Sequence, residues 1–299
     1  MKGMSMNETL PESQTATLSD ATILDTTPAQ IEQDNDALLK RAITGWTVGK
    51  GLASAEAAGT LLARPDGRWQ LPSDGDEASE WIRKPGTVRR NCKFYMHVMF
   101  LHVYQQSRVP QGCASCFKVK VAPRTVRELV ALSDVAQTLP YTSKCGLDAK
   151  TTYTSGLYGG YFYLDGIADA RAAYANIREA VDKHSKLGTE VPVFIKRGCS
   201  IYEIKCGPSD QYRFASELGE IETALLARID LPPRRSKPPM QQRMLTFAQW
   251  METAYMSGDD SYLDFTAGKR WYPATVRYDP NGNEVPVGGG PSACSSAAD

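Results

Sequence analysis

Apolar positions along the middle of the chain alternate between a period of two and a period near 3.6. Phe117–Val121 reads Phe-Lys-Val-Lys-Val, the pattern of a strand with one buried face. Pro123 ends it, and Val126, Leu129, Val130, Leu132 and Val135 then recur at helical spacing. A short second strand is predicted over Lys150–Ser155 from its Thr and Tyr content, and an aromatic third over Leu157–Leu164, interrupted by Gly159 and Gly160. Asp165 is placed to cap a long helix with a buried face of Ala170, Ala173, Tyr174, Ile177 and Val181. Val191–Lys196 is a final strand. The order β-α-β-β-α-β predicts an α+β fold with a ferredoxin-like split βαβ sandwich core and helical N- and C-terminal extensions.

Outside this core the pattern changes. Residues 1–26 are polar, acidic and aperiodic, and are expected to form a disordered tail. Thr27-Pro28 marks a helix start, with the helix running to about Ile43. Residues 45–80 are rich in Gly, Asp and Ser and resist assignment. Lys93–Tyr104 is apolar on every side, so periodicity does not separate strand from helix. The α+β core is accordingly set at 27–230. The run Pro232-Pro233-Arg234-Arg235-Ser236-Lys237-Pro238-Pro239 makes 231–239 a linker. A small helical extension follows over 240–284, with Phe247, Trp250, Met251 and Ala254 as its apolar face, and 285–299 trails off as a second tail.

Composition adds three constraints. Hydrophobic residues make up 42% of the 299, enough for a sizeable core, yet no long apolar run offers a membrane span. Met1–Gln14 shows no apolar segment behind a basic start, so no secretory signal is expected and a cytoplasmic location follows. Seven cysteines in a reducing compartment, an odd number, fit a disulfide framework poorly. Cys294 lies in a Gly/Ser/Ala-rich tail; the other six crowd the central stretch.

Topology gives those six a purpose. In the expected strand order, the starts of strands one and two share an end of the sheet with the finish of strand four. Cys113 and Cys116 precede strand one, Cys145 precedes the predicted strand two, and Cys199 and Cys206 follow strand four. The Cys113-Ala-Ser-Cys116 spacing lets two thiolates grip one metal or cluster. Cys145 and Cys206, each followed by glycine, are the expected companions, with Cys199 and Cys92 in reserve. One short-spaced pair with scattered partners favours a [4Fe–4S] iron–sulfur cluster, with zinc as the alternative.

Charge supplies the last clue. The chain is formally neutral, but Ile82–Gly146 holds eleven basic and two acidic residues, a local net of +9. On the expected strands, Lys118, Lys120, Tyr161, Tyr163 and Lys196 point away from the helices, with Arg89 and Arg90 nearby. A surface of rings and cations is one that binds nucleic acid, by stacking on bases and meeting phosphates. Lys196 and Arg197 are also placed to hold an anion beside the metal. The expected function is therefore a cluster or zinc protein that binds DNA or RNA or senses redox state. Two alternatives stand beside it: an iron–sulfur enzyme acting on an anionic small molecule, and an interaction subunit with structural zinc.

Overall fold

The computed structural model describes residues 36–43, 45–73, 80–86, 88, 90–148, 156–232, 240–271 and 277–285. The first predicted tail, the start of the predicted 27–43 helix, residues 286–299 of the second tail, most of the proline-rich linker, the 150–155 segment, Arg89 and Cys294 lie outside them.

Mixed helices and sheet surround one five-stranded antiparallel sheet. Its strands are β1 (Trp81–Lys84), β2 (Cys116–Val121), β3 (Thr142–Leu147), β4 (Tyr158–Asp165) and β5 (Val193–Arg197). Their spatial order is β1-β3-β4-β2-β5, so β2 and β3 run parallel, both opposed to β4. Helix α2 (Val126–Thr138) links β2 to β3, and α3 (Ile167–Asp182) links β4 to β5. Both pack on one face of the sheet. Thr125 caps α2 by accepting from the Glu128 amide, leaving Leu129, Leu132 and Val135 to meet Val119, Val121, Phe162 and Leu164. Gly160 leaves room there for the Leu132 side chain, which an added Cβ would meet at 2.4 Å.

The second core strand lies earlier than its composition predicts. Thr-Ser-Lys-Cys-Gly-Leu has modest strand propensity and no clean alternation, yet it is paired on both sides, by β1 and by β4. Pairing outweighs propensity here. Strand β1 itself adds an edge that the Gly- and Asp-rich stretch before it did not announce.

Two further cores flank the sandwich. In the first, α1 (Val48–Ala57) and α5 (Ser216–Leu226) close around a ten-residue π-helix, Phe94–Val103. That is the segment whose apolarity on all sides hid its type, and it is buried on several sides at once. Gly51 permits the approach of α1, because a Cβ there would stand 2.6 Å from the Val103 Cα. A smaller cluster of Phe100, Val109, Cys113, Cys116 and Tyr202 lies at the sheet end where β2 begins. Short helix α4 (Ser200–Cys206) covers it. Helix α6 (Met240–Ser257) docks on the sandwich through Trp250, Met251 and Ala254. No helix among the described residues is long and apolar enough to cross a membrane.

A candidate four-thiol site

The loop carrying the short-spaced cysteine pair is held from three directions. Glu222 on α5 accepts from the Gln111 and Gly112 amides at 2.7 and 2.8 Å, and from the Tyr104 hydroxyl at 2.7 Å. Arg90 donates to the carbonyls of Gly112 and Ser115 at 2.9 Å each, and to Asp165 at 2.5 Å. Arg197 donates to the Ala114 carbonyl at 2.9 Å. Such charge-assisted bonds fix a turn more firmly than neutral ones. Cys113 ends the turn and Cys116 opens β2, both buried.

Two more thiols join them. After β5, Gly198 adopts a positive φ of 62° while its amide bonds the Cys116 carbonyl at 2.8 Å. That left-handed turn, natural to glycine, leads directly into Cys199 at the start of α4. Cys92 enters from the segment just before the π-helix. Cys113 and Cys116 pack in one buried cluster with Cys199, and Cys92 lies within electrostatic range of all three. Desolvation by the surrounding protein is the largest cause of shift in the thiol pKa values: it raises the Cys113 and Cys116 thiols, and it lifts Cys92, whose surface still reaches solvent, to about 11. Raised in this way, the Cys92, Cys113 and Cys116 thiols favour their protonated form at neutral pH.

Lys118 lies among them. Its ammonium stands 3.2 Å from the Cys199 sulfur and 5.2 Å from the Tyr163 ring centre. Burial disfavours its charge, but Cys199, Tyr163 and Cys116 outweigh that and hold its pKa well above that of a free lysine. Tyr202 completes the wall, its hydroxyl 3.6 Å from the Cys113 sulfur.

The structure places the other expected ligands elsewhere. Cys145 lies within β3 rather than ahead of it. It pairs with Gly160, which pairs in turn with Val121, so it stands level with the opposite end of β2 from Cys116. Its side chain is also on the helix face, in the main core, where burial pushes the thiol up to about 12. Cys206 lies at the far end of α4 from Cys199, about 10 Å along the axis at 1.5 Å per residue. Its sulfur points to the Gln106 carbonyl at 3.6 Å. All six described cysteines are free. Among the described residues no three His, Cys, Asp or Glu side chains stand close enough to hold a single metal ion.

The sheet face away from α2 and α3 carries the expected rings and cations in cross-strand rows. One row runs Arg83, Lys144, Tyr161, Lys120, Phe194; the next runs Thr142, Tyr163, Lys118, Lys196. Much of this face is internal. Lys118, Lys120 and Tyr161 are buried, and Asp148 takes a 2.6 Å bond from Tyr161 and pairs with Lys120 at 3.7 Å. Lys196 is held by Ser200 at 2.7 Å and Glu203 at 3.2 Å. Arg197 lies over the rings of Phe117, Tyr212 and Phe214. Lys196 and Arg197 are thus engaged within the fold.

One feature has no signature in local sequence, a cavity of about 570 Å³ beside Cys92. Arg83, Arg90, Lys144 and Tyr163 line it. Lys144 stacks over the Trp81 ring at 3.6 Å, and burial, with Arg83 and Lys118 nearby, lowers its pKa to about 8. Only the +9 bias of the segment pointed toward such a place. No protein-family model matches the chain, and no curated protein and no solved structure resembles it.

Proposed function

We propose that Cys92, Cys113, Cys116 and Cys199 hold an iron–sulfur cluster, in a redox-responsive protein of a reducing, cytoplasmic setting. What supports this reading is the packing of Cys113 and Cys116 with Cys199 in one cluster, the Lys118 ammonium 3.2 Å from the Cys199 sulfur, and Cys92, more than a hundred residues before Cys199, within electrostatic range of all three. A single zinc ion needs its sulfurs at about 2.3 Å from one point, a closer gathering than these residues make. A [4Fe–4S] core is larger and accepts sulfurs spaced farther apart, and zinc stands as the alternative. A cluster held there would take the thiols as thiolates with their protons released, and the Lys118 ammonium, 3.2 Å from the Cys199 sulfur, would offset part of its negative charge. The sandwich, with strand order β3-β4-β2-β5, is read in this proposal as a ferredoxin-like core with β1 added at its edge.

Anaerobic purification with iron and sulfide analysis tests it. The expected product is brown, with iron and sulfide lost on serine replacement of Cys113, Cys116, Cys92 or Cys199 and retained in Cys145→Ala and Cys206→Ser. A colourless protein with stoichiometric zinc moves the site to the structural-zinc alternative. Failure to take up iron even on anaerobic reconstitution overturns the cluster.

DNA or RNA binding across the sheet face has less support, since Lys118, Lys120 and Tyr161 are inside and Lys196 and Arg90 are ion-paired. The cavity beside Cys92 favours a second reading: a cluster enzyme acting on an anionic small molecule.

A further inference from the structure

We propose that Lys144 is a carbonyl-reactive amine, set to form an imine with an aldehyde or ketone that enters the cavity beside it. The cavity, of about 570 Å³, falls within the range of small-molecule sites and is lined in part by Lys144 itself. Half-buried on β3, Lys144 stands in register with Arg83 on β1 and Tyr161 on β4. Its ammonium is 3.6 Å from the centre of the Trp81 ring and 5.0 Å from that of Tyr161, and among the described residues it makes no hydrogen bond. Ring faces attract an ammonium, but they do not replace the acceptors its three protons find in water. Arg83, which has an interaction of its own, and Lys118 on β2 press on Lys144 with like charge. Asp148 and Cys199 act in the opposite sense and more weakly, and Asp148 is already engaged by Tyr161 at 2.6 Å and Lys120 at 3.7 Å. Of the other titratable groups lining the cavity, Arg90 is paired with Asp165 and the Lys84 ammonium is bonded to the Leu139 carbonyl, while Cys92 and Tyr163 have raised pKa values that favour their neutral forms. Desolvation and two like charges thus favour the free amine, whose lone pair is what attack on a carbonyl carbon requires.

The reaction needs nothing beyond the carbonyl compound. The Lys144 lone pair attacks the carbonyl carbon and a C–N bond forms. Both nitrogen protons pass through solvent to the carbonyl oxygen, which leaves as water, and a C=N bond remains. No oxidant or reductant takes part. Wall chemistry narrows the partner: Pro85, Val88, Leu231 and Pro232 are apolar and Tyr163 offers a ring face, which suits a carbonyl group carried on a flat or apolar body. With its pKa lowered to about 8, Lys144 is a free amine in about a quarter of molecules at pH 7.5, against about one in a thousand for an ordinary lysine. A lysine desolvated beside a second cation is a recognised way to ready an amine for imine chemistry. This inference goes beyond the thiol site and stands with or without iron.

The test is reductive trapping on the full chain, with benzaldehyde and sodium cyanoborohydride near neutral pH and the modified lysines mapped by mass spectrometry. Hydride from the reductant converts the imine to a stable secondary amine. Lys144 is expected to be labelled about tenfold faster than the exposed Lys40 and Lys183; its free-amine fraction favours it by more, but a less basic nitrogen is a weaker nucleophile, as with thiols. Trace acetylation with acetic anhydride across a pH series reads the titration directly. Lys144 should show a midpoint near 8, against about 10.4 for Lys183. Arg83→Gln removes one like charge and should slow Lys144 labelling about threefold while leaving Lys183 unchanged. Circular dichroism checks that variant, and the wild-type map carries the test if it does not fold. Labelling of Lys144 no faster than that of Lys40 and Lys183, or an acetylation midpoint at the ordinary lysine value, overturns the inference. Iron analysis of the same sample reports on the cluster separately: labelled Lys144 in iron-free protein sustains this inference while counting against the cluster, and the reverse result does the opposite.

Discussion

Replacing Glu222 with glutamine perturbs the clamp beneath the Cys113 turn without changing its shape. The carboxylate is 2% exposed and accepts three hydrogen bonds, two on Oε1 from Tyr104 and Gln111 and one on Oε2 from Gly112. Glutamine can keep its oxygen toward the first two, but its NH2 then faces the Gly112 N–H, donor against donor. Leaving a buried donor unsatisfied costs about 1–3 kcal/mol, and downgrading two charge-assisted bonds to neutral ones adds about 1 kcal/mol. Relief of the buried charge returns part of this, since burial is the main reason the Glu222 pKa is raised. The net expectation is a loss of about 2–3 kcal/mol in urea denaturation followed by circular dichroism, or roughly 3–5 °C in Tm for a chain of this size. The loss should depend on pH. A carboxyl with a raised pKa binds its proton more tightly folded than unfolded, so the native protein gains stability as pH falls through that raised value toward 4.5. Glutamine has no such titration, and the gap between the two proteins should therefore widen on acidification. A loss under about 0.5 kcal/mol at neutral pH, or a gap that narrows as pH falls, would show that the three bonds do not hold the turn.

Cys145→Ser places a hydroxyl in the core between Leu132 and Gly160, and should cost about 1–3 kcal/mol by denaturation while leaving metal content untouched. Asp259→Ala removes the acceptor for the Val126 amide at 2.6 Å and the Tyr158 hydroxyl at 2.8 Å, which tie the C-terminal segment to the sheet. A loss of about 1–3 kcal/mol is expected, together with faster hydrogen exchange in the first turn of α2. In the apo protein, Cys92 should react with a thiol reagent before Cys113 and Cys116, because it alone of the three is exposed; equal labelling rates by mass spectrometry would contradict the burial pattern.

The amino-acid sequence by itself determined what depends on neighbours a few residues apart. Alternation of Phe117, Val119 and Val121 with Lys118 and Lys120 specified which side of β2 meets the helices, and the spacing through Ala170, Ala173 and Ile177 specified the buried face of α3. The element order and the crowding of cysteines into the central stretch were equally legible. Long-range pairing decided the rest. Thr142–Leu147 becomes a strand because β1 and β4 bracket it, and that shift puts Cys145 inside the sheet, at the far end and on the wrong face for the thiol site. Cys92 enters the site because the π-helix behind it is gripped by α1 and α5, elements distant in the chain. Periodicity records which way a side chain points from its own backbone. Which thiols lie near one another depends on how separate segments pack, and that is fixed by burial and hydrogen bonding across the whole fold.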